Sequence, residues 1–407
     1  MRISYVTMSF PAKSETFATN DVRLLRESGA QVTVHSLRAA AHEAAELLTE
    51  RGLAGVSVTY NTGVRSFARG LLVAIEEPRA AVSMFSAVVR TCISAPMHLA
   101  RSLILFPRVL EIYGVLRRDQ PDVVHAYWAH YPSLVLHLVQ HFMPRVVTSI
   151  SFSAYDIRHR YPMTGRVTRD ADVVRSLSKA TARETSQAFG IPADRIEVIH
   201  DSVDLRLVPE RTQRTPRRVV SVGRLVRRKG MEDVLRTFAA VHRRFPDATL
   251  RILGTGPELP RLIRMAAELG IGSAVTFLGH RSQTDVLAEM RQAEVFVFLS
   301  VDERLPNVVK EAMACECVCV VSRTIGICEL VDHGVSGFIV EQGDTTAVID
   351  HVTATFEGRV PTDVMTERAA AWIRGAFDLR VNARRYLELW HEHVERRRAL
   401  FTDTPAG

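Results

Sequence analysis

The sequence predicts an α/β fold built from two doubly wound domains in tandem, each with a parallel sheet covered by helices. The chain of 407 residues is long for one hydrophobic core and suited to two. Short apolar runs alternate with amphipathic helical patterns, as in parallel sheets that are covered on both faces. This alternation is interrupted at 209–218 by the charged, proline-containing stretch PERTQRTPRR.

The first predicted domain covers residues 1–208, and residues 209–218 form the predicted linker. The domain opens with the strand RISYVTMSF, the helical pattern ETFATNDVRLLRESG and the strand QVTVHSL. An arginine-rich helical region follows, and then the buried strands PDVVHAYWAH, RVVTSISFSAYDI, ADVVRSLS and RIEVIHDSVD. Polar residues at the carboxyl ends of these strands mark the edge where doubly wound sheets bind ligands.

The second predicted domain covers residues 219–377. Its predicted strands are RVVSVGRL, ATLRILGTG, AVTFLG, VFVFLS and CVCVVS, with helical patterns between them. The tail FDLRVNARRYLELWHEHVERRR predicts an amphipathic, basic helix at about 378–400.

The charge balance favours a partner that carries negative charge. The net charge of +7 and the pI near 9.4 suit nucleic acid, an anionic membrane surface or a phosphorylated substrate. Nucleic acid is disfavoured because the basic residues are not interleaved with aromatic ones. The arginines at 65–118 could contact lipid headgroups or form an ordinary solvated face. The apolar stretch at 84–106 is broken by charges and a proline, so no transmembrane helix is predicted.

The cysteine content and the N-terminal sequence indicate a reducing, cytoplasmic setting. The chain has five cysteines, an odd number, and it begins with a short apolar strand that ends at Pro11 rather than with a signal peptide. The run CECVC at 315–319 is interpreted as buried thiols on one face of a strand, because it lacks C-x-x-C pairing. The tripeptide Asp170–Asp172 is a weaker metal candidate, and we expect no catalytic metal.

The segment SVGRLVRRKG places cations at the carboxyl end of a predicted strand. The strand ends at Gly223, Arg224 follows it, and Lys229 precedes the next helix. A planar guanidinium and a lysine ammonium together suit a diphosphate. The alternative is a solvated basic loop.

The segment LRILGTGPELP holds Gly254 and Gly256 between a strand and a helix. It lacks the third glycine of the dinucleotide fingerprint. We therefore expect a tight turn and the close approach of another group, rather than a dinucleotide site.

The segment DERLPNVVKEAMA follows the buried strand VFVFLS. Pro306 suits the first position of the next helix, whose free N–H groups at 306–308 could bind an anion. Glu303 would lie in the loop and Glu311 in the second helical turn, where both could accept hydrogen bonds from sugar hydroxyls. Alternatively, Glu311 and the adjacent Lys310 belong to a solvated helix face, and Glu303 is an ordinary loop charge.

These segments, in this order, resemble the family-4 retaining glycosyltransferases, which have the GT-B fold. That family has a G-R-x(4)-K-G segment, a G-x-G-P segment and two glutamates separated by seven residues, and this chain has GRLVRRKG, GTGP and ERLPNVVKEAMA. The segment FPAKSETF at 10–17 resembles the bacterial exopolysaccharide and colanic-acid branch. The resemblance covers nearly the whole chain and is weakest between about residues 40 and 120. It implies two Rossmann-like domains facing a cleft, with the last helix crossing back to the first domain.

The resemblance implies that the second domain binds a UDP- or GDP-linked nucleotide-sugar as co-substrate, without a metal or cofactor. Arg224 and Lys229 would neutralise its diphosphate. Glu303 would hold hydroxyls of the sugar, and Glu311 those of the ribose. The remaining residues of the predicted donor site are Gly223, Gly254, Gly256, Leu305, Pro306, Asn307 and Val308.

The resemblance also implies that the first domain binds a saccharide acceptor, lipid-linked, at the inner face of the cytoplasmic membrane. His125 and Trp128 are predicted to end a strand that faces the cleft, where they could contact a sugar or belong to the core or rim. Glu15 opens a helix, where it could contact the acceptor or only favour the helix dipole. The other acceptor-side candidates are Ser14, Ser153 and Asp156.

Departures from the family pattern leave alternatives open. Ser153 stands where the family has a histidine near donor and acceptor, and a hydroxyl cannot hold a proton near pH 7 as imidazole can. Arg304 stands in place of a glycine, and Glu316 and Val318 replace a glycine and a proline after EAMA. The rival interpretations are a non-catalytic homologue, which binds a nucleotide-sugar or a partner in an assembly complex, and a nucleotide-sugar epimerase.

Overall fold

The computed structural model describes residues 1–12 and 16–402, and the chain divides into two compact units. The first comprises residues 1–200 with the described residues from Arg380 onwards, and the second comprises Asp201–Leu379. This division lies upstream of the predicted linker at 209–218, because that stretch is bound to the second unit. Within it, Arg214 donates a hydrogen bond to the carbonyl of Glu316, and Thr215 N donates one to the carbonyl of Gln292.

The described part of the first unit holds seven strands and the helices around them. The strands are β1 (Arg2–Thr7), β2 (Gln31–Ser36), β3 (Ser57–Thr59), β4 (Val123–Tyr127), β5 (Val147–Phe152), β6 (Val173–Ser176) and β7 (Ile196–Val198). The helices are α1 (Thr16–Glu27), α2 (Ala44–Glu50), α3 (Val64–Glu76), α4 (Pro78–Cys92), α5 (Pro96–Asp119), α6 (Ser133–Phe142), α7 (Ala154–His159), α8 (Pro162–Arg169) and α9 (Lys179–Phe189).

The second unit is built in the same way. Its strands are β8 (Arg218–Val222), β9 (Thr249–Leu253), β10 (Val275–Gly279), β11 (Val295–Phe298), β12 (Val318–Ser322) and β13 (Phe338–Val340). Its helices are α10 (Met231–Arg244), α11 (Leu259–Glu268), α12 (Gln283–Gln292), α13 (Asn307–Ala314), α14 (Thr345–Phe356) and α15 (Thr362–Ala376), and the last helix among the described residues is α16 (Leu379–Thr402).

Both sheets are parallel and have the strand order of doubly wound folds. The order is β3-β2-β1-β4-β5-β6-β7 in the first unit and β10-β9-β8-β11-β12-β13 in the second. In each sheet the winding direction reverses once, between β1 and β4 and between β8 and β11. Such a reversal opens a ligand crevice at the carboxyl ends of the strands. The prediction of two Rossmann-like α/β domains is confirmed.

The central strands are continuous apolar runs because both of their faces are buried. Every residue of β11 and of β5 is buried. Polar residues follow within two positions of each strand end: Ser300 comes two residues after β11, and Ser153 comes directly after β5. The chemically active side chains are therefore concentrated at the carboxyl edge of each sheet.

The helix α16 packs on the first unit through two aromatic side chains. Trp390 is fully buried, with its ring centroid 5.3 Å from that of His125 and 4.1 Å from that of Tyr386. The hydroxyl of Tyr386 lies 3.1 Å from Ser149 Oγ, and burial raises the pKa of Tyr386 to about 12. The C-terminal helix thus completes the core around β4.

The arginine-rich region folds into α3, α4 and α5, and not all of its arginines are available to a partner. Arg108 is buried, and its guanidinium donates to Glu111 Oε2 at 2.7 Å and to the carbonyl of Ser36. This side chain joins α5 to β2, so the expectation of lipid contact is wrong for Arg108. Within residues 1–12 and 16–402, no helix has the length and apolarity that crossing a membrane requires.

We expect Trp390→Ala to destabilise the protein by about 3–5 kcal/mol, because it leaves a cavity beneath α16. Urea unfolding followed by circular dichroism would show the lower midpoint. Trp372→Ala is the matched control, because Trp372 is 47% exposed on α15 and its removal should have a much smaller effect. Equal losses in both variants would contradict the packing role of Trp390.

Candidate functional site

The crevice between the ends of β8 and β11 is formed by two loops that are fixed to each other. The carbonyl of Arg228 accepts hydrogen bonds from Val301 N at 3.0 Å and from Ser300 Oγ at 3.1 Å. Gly230, with φ +66°, permits this contact, because a Cβ there would lie 2.0 Å from the carbonyl oxygen of Leu299. The turn that carries Lys229 is therefore held against the end of β11.

Lys229 and Glu303 form an ion pair in this crevice. Their side chains are 15% and 19% exposed, respectively. Lys229 Nζ lies 5.3 Å from the ring centroid of Phe298, and Ser300 Oγ lies 3.3 Å from Glu303 Oε1. The cation predicted for phosphate and the carboxylate predicted for sugar hydroxyls therefore neutralise each other.

Arg224 lies at the same edge of the sheet. Gly223, which precedes it, continues the β8–β9 ladder through its N–H to the carbonyl of Leu253, and a Cβ on Gly223 would lie 3.7 Å from Lys229 Cδ. Arg224 is exposed, and within the described ranges its guanidinium has no hydrogen bond or ion pair. A charged, solvated fork thus lies beside the Lys229–Glu303 pair.

Gly254 and Gly256 make the close approach that the sequence predicts, and the approaching group is the chain itself. A Cβ on Gly254, where φ is +131°, would lie 2.0 Å from the carbonyl oxygen of Gly223, and one on Gly256 would lie 2.3 Å from that of Leu225. Both glycines therefore press the end of β9 against the loop after β8. This packing positions Arg224.

The helix α13 begins one residue later than predicted. Pro306 is its N-cap, with φ −69° and ψ 124°, and Asn307 is its first residue. The first N–H groups of the helix have no acceptor within it, so those of Asn307 and Val308 can bind a ligand. Leu305 and Val308 are half-buried at the same edge.

Glu311 and Lys310 have different surroundings, so the alternative of a solvated helix face is wrong. Lys310 is fully buried, and its Nζ donates to the carbonyl of Asp201 at 2.6 Å and to Asn307 Oδ1 at 2.7 Å. Glu311 is half-buried and accepts a hydrogen bond from Gln283 Nε2 at 3.1 Å. Burial raises the pKa of Glu311, and the Gln283 hydrogen bond and the Lys310 charge oppose that shift.

Two unusual residues of this region have structural roles. Arg304 pairs with Asp302 at 3.0 Å, and its carbonyl oxygen would lie only 1.9 Å from a Cβ on Gly326. Glu316 has φ +60°, a left-handed conformation in which the glycine that the family resemblance predicts here would be unstrained. Its carboxylate lies 3.3 Å from both Arg211 and Arg291, so ion pairs offset the backbone strain.

The predicted arrangement of the cysteine run is wrong. Cys315 caps the end of α13 and only Cys319 lies in β12, so the three sulfurs do not share one face of a strand. All three thiols are buried, and burial raises the pKa of each. In the tripeptide Asp170–Asp172, Asp172 accepts from Thr148 N at 2.8 Å and pairs with Arg397, so this carboxylate is used within the fold.

Trp128 follows β4 in the first unit, at the edge where this sheet would bind a ligand. Its φ of +80° is strained for an aromatic residue, and such strain concentrates at functional sites. Trp128, His130, Tyr155 and His159 form an aromatic cluster in which neighbouring ring centroids lie between 4.0 and 6.5 Å apart. Tyr155 is 51% exposed, whereas His130 is buried beneath the other rings of the cluster at 6% exposure.

Ser153 and Asp156 hold the imidazole of His130 in this cluster. Ser153 is the N-cap of α7, and its Oγ and its N–H each donate to Asp156 Oδ2 at 2.9 Å. The other carboxylate oxygen, Oδ1, lies 2.9 Å from His130 Nδ1. A carboxylate beside Nδ1 favours the tautomer with its proton on that nitrogen, which leaves Nε2 as the hydrogen-bond acceptor of the ring. Sequence reasoning missed His130, although its position just after β4 was a usable signal.

Among the remaining acceptor-side candidates, His125 does not reach this edge. His125 lies in the middle of β4 rather than at a strand end, and it is fully buried beneath α16. Burial, with the nearby charge of Arg175, lowers the pKa of His125 well below its ordinary value, so it is a neutral core residue. Ser14 and Glu15 lie outside the described residues.

We expect the stability gain from Glu311→Gln to grow as the pH rises from about 4 to 7. The folded state raises the pKa of this carboxyl, so its cost to stability is absent below the unfolded pKa and present above the folded pKa. Urea unfolding of variant and wild type at both pH values measures the difference. Glu268→Gln, at an exposed glutamate of α11, should show no such trend. A gain that does not change with pH would contradict the burial of Glu311.

Comparison with known families matches both halves of the chain. Residues 14–207 match the model described as Glycosyltransferase Family 4, and residues 208–375 match that described as Glycosyl transferases group 1. The two matches are contiguous and meet at residues 207 and 208, a few residues after the start of the second unit at Asp201.

Curated relatives extend these matches. The chain is 31% identical over 253 residues to a GDP-mannose-dependent alpha-(1-6)-phosphatidylinositol monomannoside mannosyltransferase of Mycolicibacterium smegmatis. That alignment covers 58% of this chain and 66% of the relative, slightly less than two thirds of its length. The chain is 24% identical over 382 residues to WcaL of Salmonella typhimurium, which is named for colanic acid biosynthesis, with 86% of this chain and 89% of WcaL covered.

A solved structure shows the same fold. The structure of Anabaena Alr3699/HepE in complex with UDP superposes with a TM-score of 0.73 at 19% identity, over 96% of this chain and 100% of that one. Contiguous matches to two glycosyltransferase families, on two Rossmann-like units, show that this chain belongs to the glycosyltransferases of the GT-B fold.

Proposed function

We propose that the chain is a retaining, metal-independent glycosyltransferase that moves a sugar from a UDP- or GDP-linked donor to a saccharide acceptor. The observation that carries the proposal is the Lys229–Glu303 pair, with Arg224 beside it, at the β8–β11 crevice. A nucleotide-sugar offers a diphosphate to the cations and hydroxyls to the carboxylate. Structures of HepE with UDP and with UDP-glucose support this class of donor.

Donor binding would separate the ion pair. Lys229 and Arg224 would bind the diphosphate, and Glu303 would accept hydrogen bonds from the transferred sugar. The N–H groups that begin α13 would add donors for the same anion. Glu311, already desolvated beside Gln283, would hold the ribose hydroxyls.

The transfer step would break the bond between the anomeric carbon and the diphosphate. Negative charge then builds on the leaving phosphate oxygens, where Arg224 and Lys229 stabilise it. The acceptor oxygen bonds to the anomeric carbon from the same face, and its proton passes to the leaving phosphate, which gives retention. Loss of one such preorganised group typically costs about a hundredfold to a thousandfold in rate.

The aromatic cluster of the first unit would bind the acceptor. Trp128 and Tyr155 provide ring faces for a sugar, and His130 Nε2 would accept a hydrogen bond from the reacting hydroxyl. Because Asp156 fixes the orientation of His130, an imidazole is available although Ser153 replaces the family histidine. This arrangement favours an active transferase over a non-catalytic homologue.

The acceptor class and the location complete the proposal. Surface polysaccharide or glycoconjugate synthesis would present a lipid-linked saccharide at the inner face of the cytoplasmic membrane. The names of the relatives, one a phosphatidylinositol mannoside mannosyltransferase and the other a colanic acid biosynthesis protein, support this class. Contact with that membrane would come from residues within 65–118.

We expect one nucleotide-sugar among UDP-glucose, UDP-N-acetylglucosamine and GDP-mannose to raise the melting temperature of the purified chain. Arg224→Ala and Glu311→Ala should lose most of that shift, because each removes a direct ligand contact. Arg227→Ala is the matched control, since Arg227 belongs to the same loop and its side chain is 82% exposed. If both site variants bind like the wild type, the donor site is assigned wrongly.

We expect His130→Gln to lower sugar transfer by roughly a hundredfold, the lower end for a side chain that orients a proton in the transfer step. Nucleotide-sugar binding, measured by thermal shift, should stay unchanged in this variant. His141→Gln removes an exposed histidine of the same unit and should transfer normally. Full transfer by His130→Gln would refute its role, and tight donor binding without turnover by the wild type would instead support a non-catalytic homologue.

A further inference from the structure

The helix α3 turns its large apolar side chains towards solvent and its small ones towards the protein. Its buried residues are Ser66, Gly70 and Val73. A Cβ on Gly70 would lie 2.0 Å from the carbonyl oxygen of Pro107, so the backbones of α3 and α5 are in close contact. The largest apolar side chains of α3 therefore lie outside the hydrophobic core.

The exposed apolar side chains of α3 lie together. Val64 is 84% exposed and Ile75 is 69% exposed. With Phe67, Leu71 and Leu72 they occupy a sector of about 140° on the helix. A solvated sector of this width and apolarity is unusual on the surface of a globular protein.

Large apolar side chains are also exposed on α4 and α5. We use the term outward apolar face for the exposed large apolar side chains of residues 64–104. These are Val64, Phe67, Leu71, Leu72, Ile75, Val82, Phe85, Ile93, Met97, Leu103 and Ile104. Eleven of the twenty-one exposed large hydrophobic side chains in the described residues thus fall within about a tenth of the chain.

Positive charge accompanies the outward apolar face. Residues 64–104 contain five arginines, and the only acidic residues there are Glu76 and Glu77. Glu77 is already in an ion pair with Arg117. The five arginines are all exposed: Arg65, Arg69, Arg79, Arg90 and Arg101.

We propose that the outward apolar face docks on an anionic lipid bilayer, with its apolar side chains in the interfacial region and its arginines at the headgroups. The positive charge of this face favours a bilayer over a second copy of the chain as the partner. Two copies joined through this face would bring arginines against arginines, with few carboxylates to compensate. Lipid phosphates supply the missing negative charge, and acyl chains supply the apolar contact.

The inference deepens the proposed function and rests on it for the lipid-linked acceptor that a membrane would present. It differs from the expectation drawn from arginines alone, because the apolar side chains carry the contact. The arginines would set the preference for anionic lipid. Vesicle binding needs neither donor nor acceptor, so it can fail or succeed independently of catalysis.

The test is co-sedimentation of the full chain with sucrose-loaded vesicles, either of phosphatidylcholine or of an equal mixture with phosphatidylglycerol. We expect binding to the anionic vesicles. The triple variant Phe67→Gln, Leu71→Gln, Ile104→Gln should lose at least tenfold in partitioning. Arg65→Gln with Arg101→Gln should reduce the preference for anionic over neutral vesicles.

The matched control is Ile263→Gln, Val364→Gln, Val381→Gln, which removes three exposed apolar side chains of the chain that lie elsewhere. This variant should partition like the wild type. Both triple variants should keep the melting temperature and the nucleotide-sugar shift of the wild type, because the residues are exposed. A chain that stays in solution with anionic vesicles would overturn the inference. So would a dimer that the Phe67 triple variant abolishes, because the face would then bind a second copy.

Discussion

The ion pair between Lys229 and Glu303 joins the loops that follow β8 and β11, the two strands between which the second sheet reverses its winding. It depends on backbone contacts, since Gly230 must pack on the carbonyl of Leu299 before Lys229 can reach the end of β11. Two partly buried opposite charges stabilise each other there, and a polar ligand with both phosphate and hydroxyl groups can replace each partner. The rest of the candidate donor site, from Arg224 to the start of α13, is arranged around this contact.

Residues that depart from the family pattern take part in contacts of their own. Glu316 has a left-handed backbone conformation, which is strained for any residue except glycine. Its ion pairs hold the 209–218 stretch against the rest of the second unit. Ser153 caps α7 and holds Asp156, which in turn orients His130. At Glu316 and Ser153, a neighbouring group therefore compensates for the substitution. This is a physical reason to expect a working enzyme.

Much of the fold could be predicted from the sequence, because buried parallel strands are apolar runs and their ligand edges carry polar residues. The positions of Arg224, Lys229 and Glu303 after strands of the second sheet could be predicted in this way, whereas their roles towards a donor follow from the family resemblance and stay a proposal. Patterns could not show that α16, distant in sequence, covers His125, or that Lys310 is buried while Glu311 is only half-buried. They also could not show which face of α3 is inside. Periodicity assigns the large apolar side to the core, whereas close packing at Gly70 selects the small side.

The central claim is that the Lys229–Glu303 pair marks the donor site, and that these two side chains bind each other when no donor is present. A crystal structure of the chain with its nucleotide-sugar tests this claim most directly. We predict that the diphosphate lies within hydrogen-bonding distance of Arg224 and Lys229, and that Glu303 has left Lys229 for the hydroxyls of the sugar. A nucleotide bound away from the ends of β8 and β11, with the ion pair intact, would contradict the account.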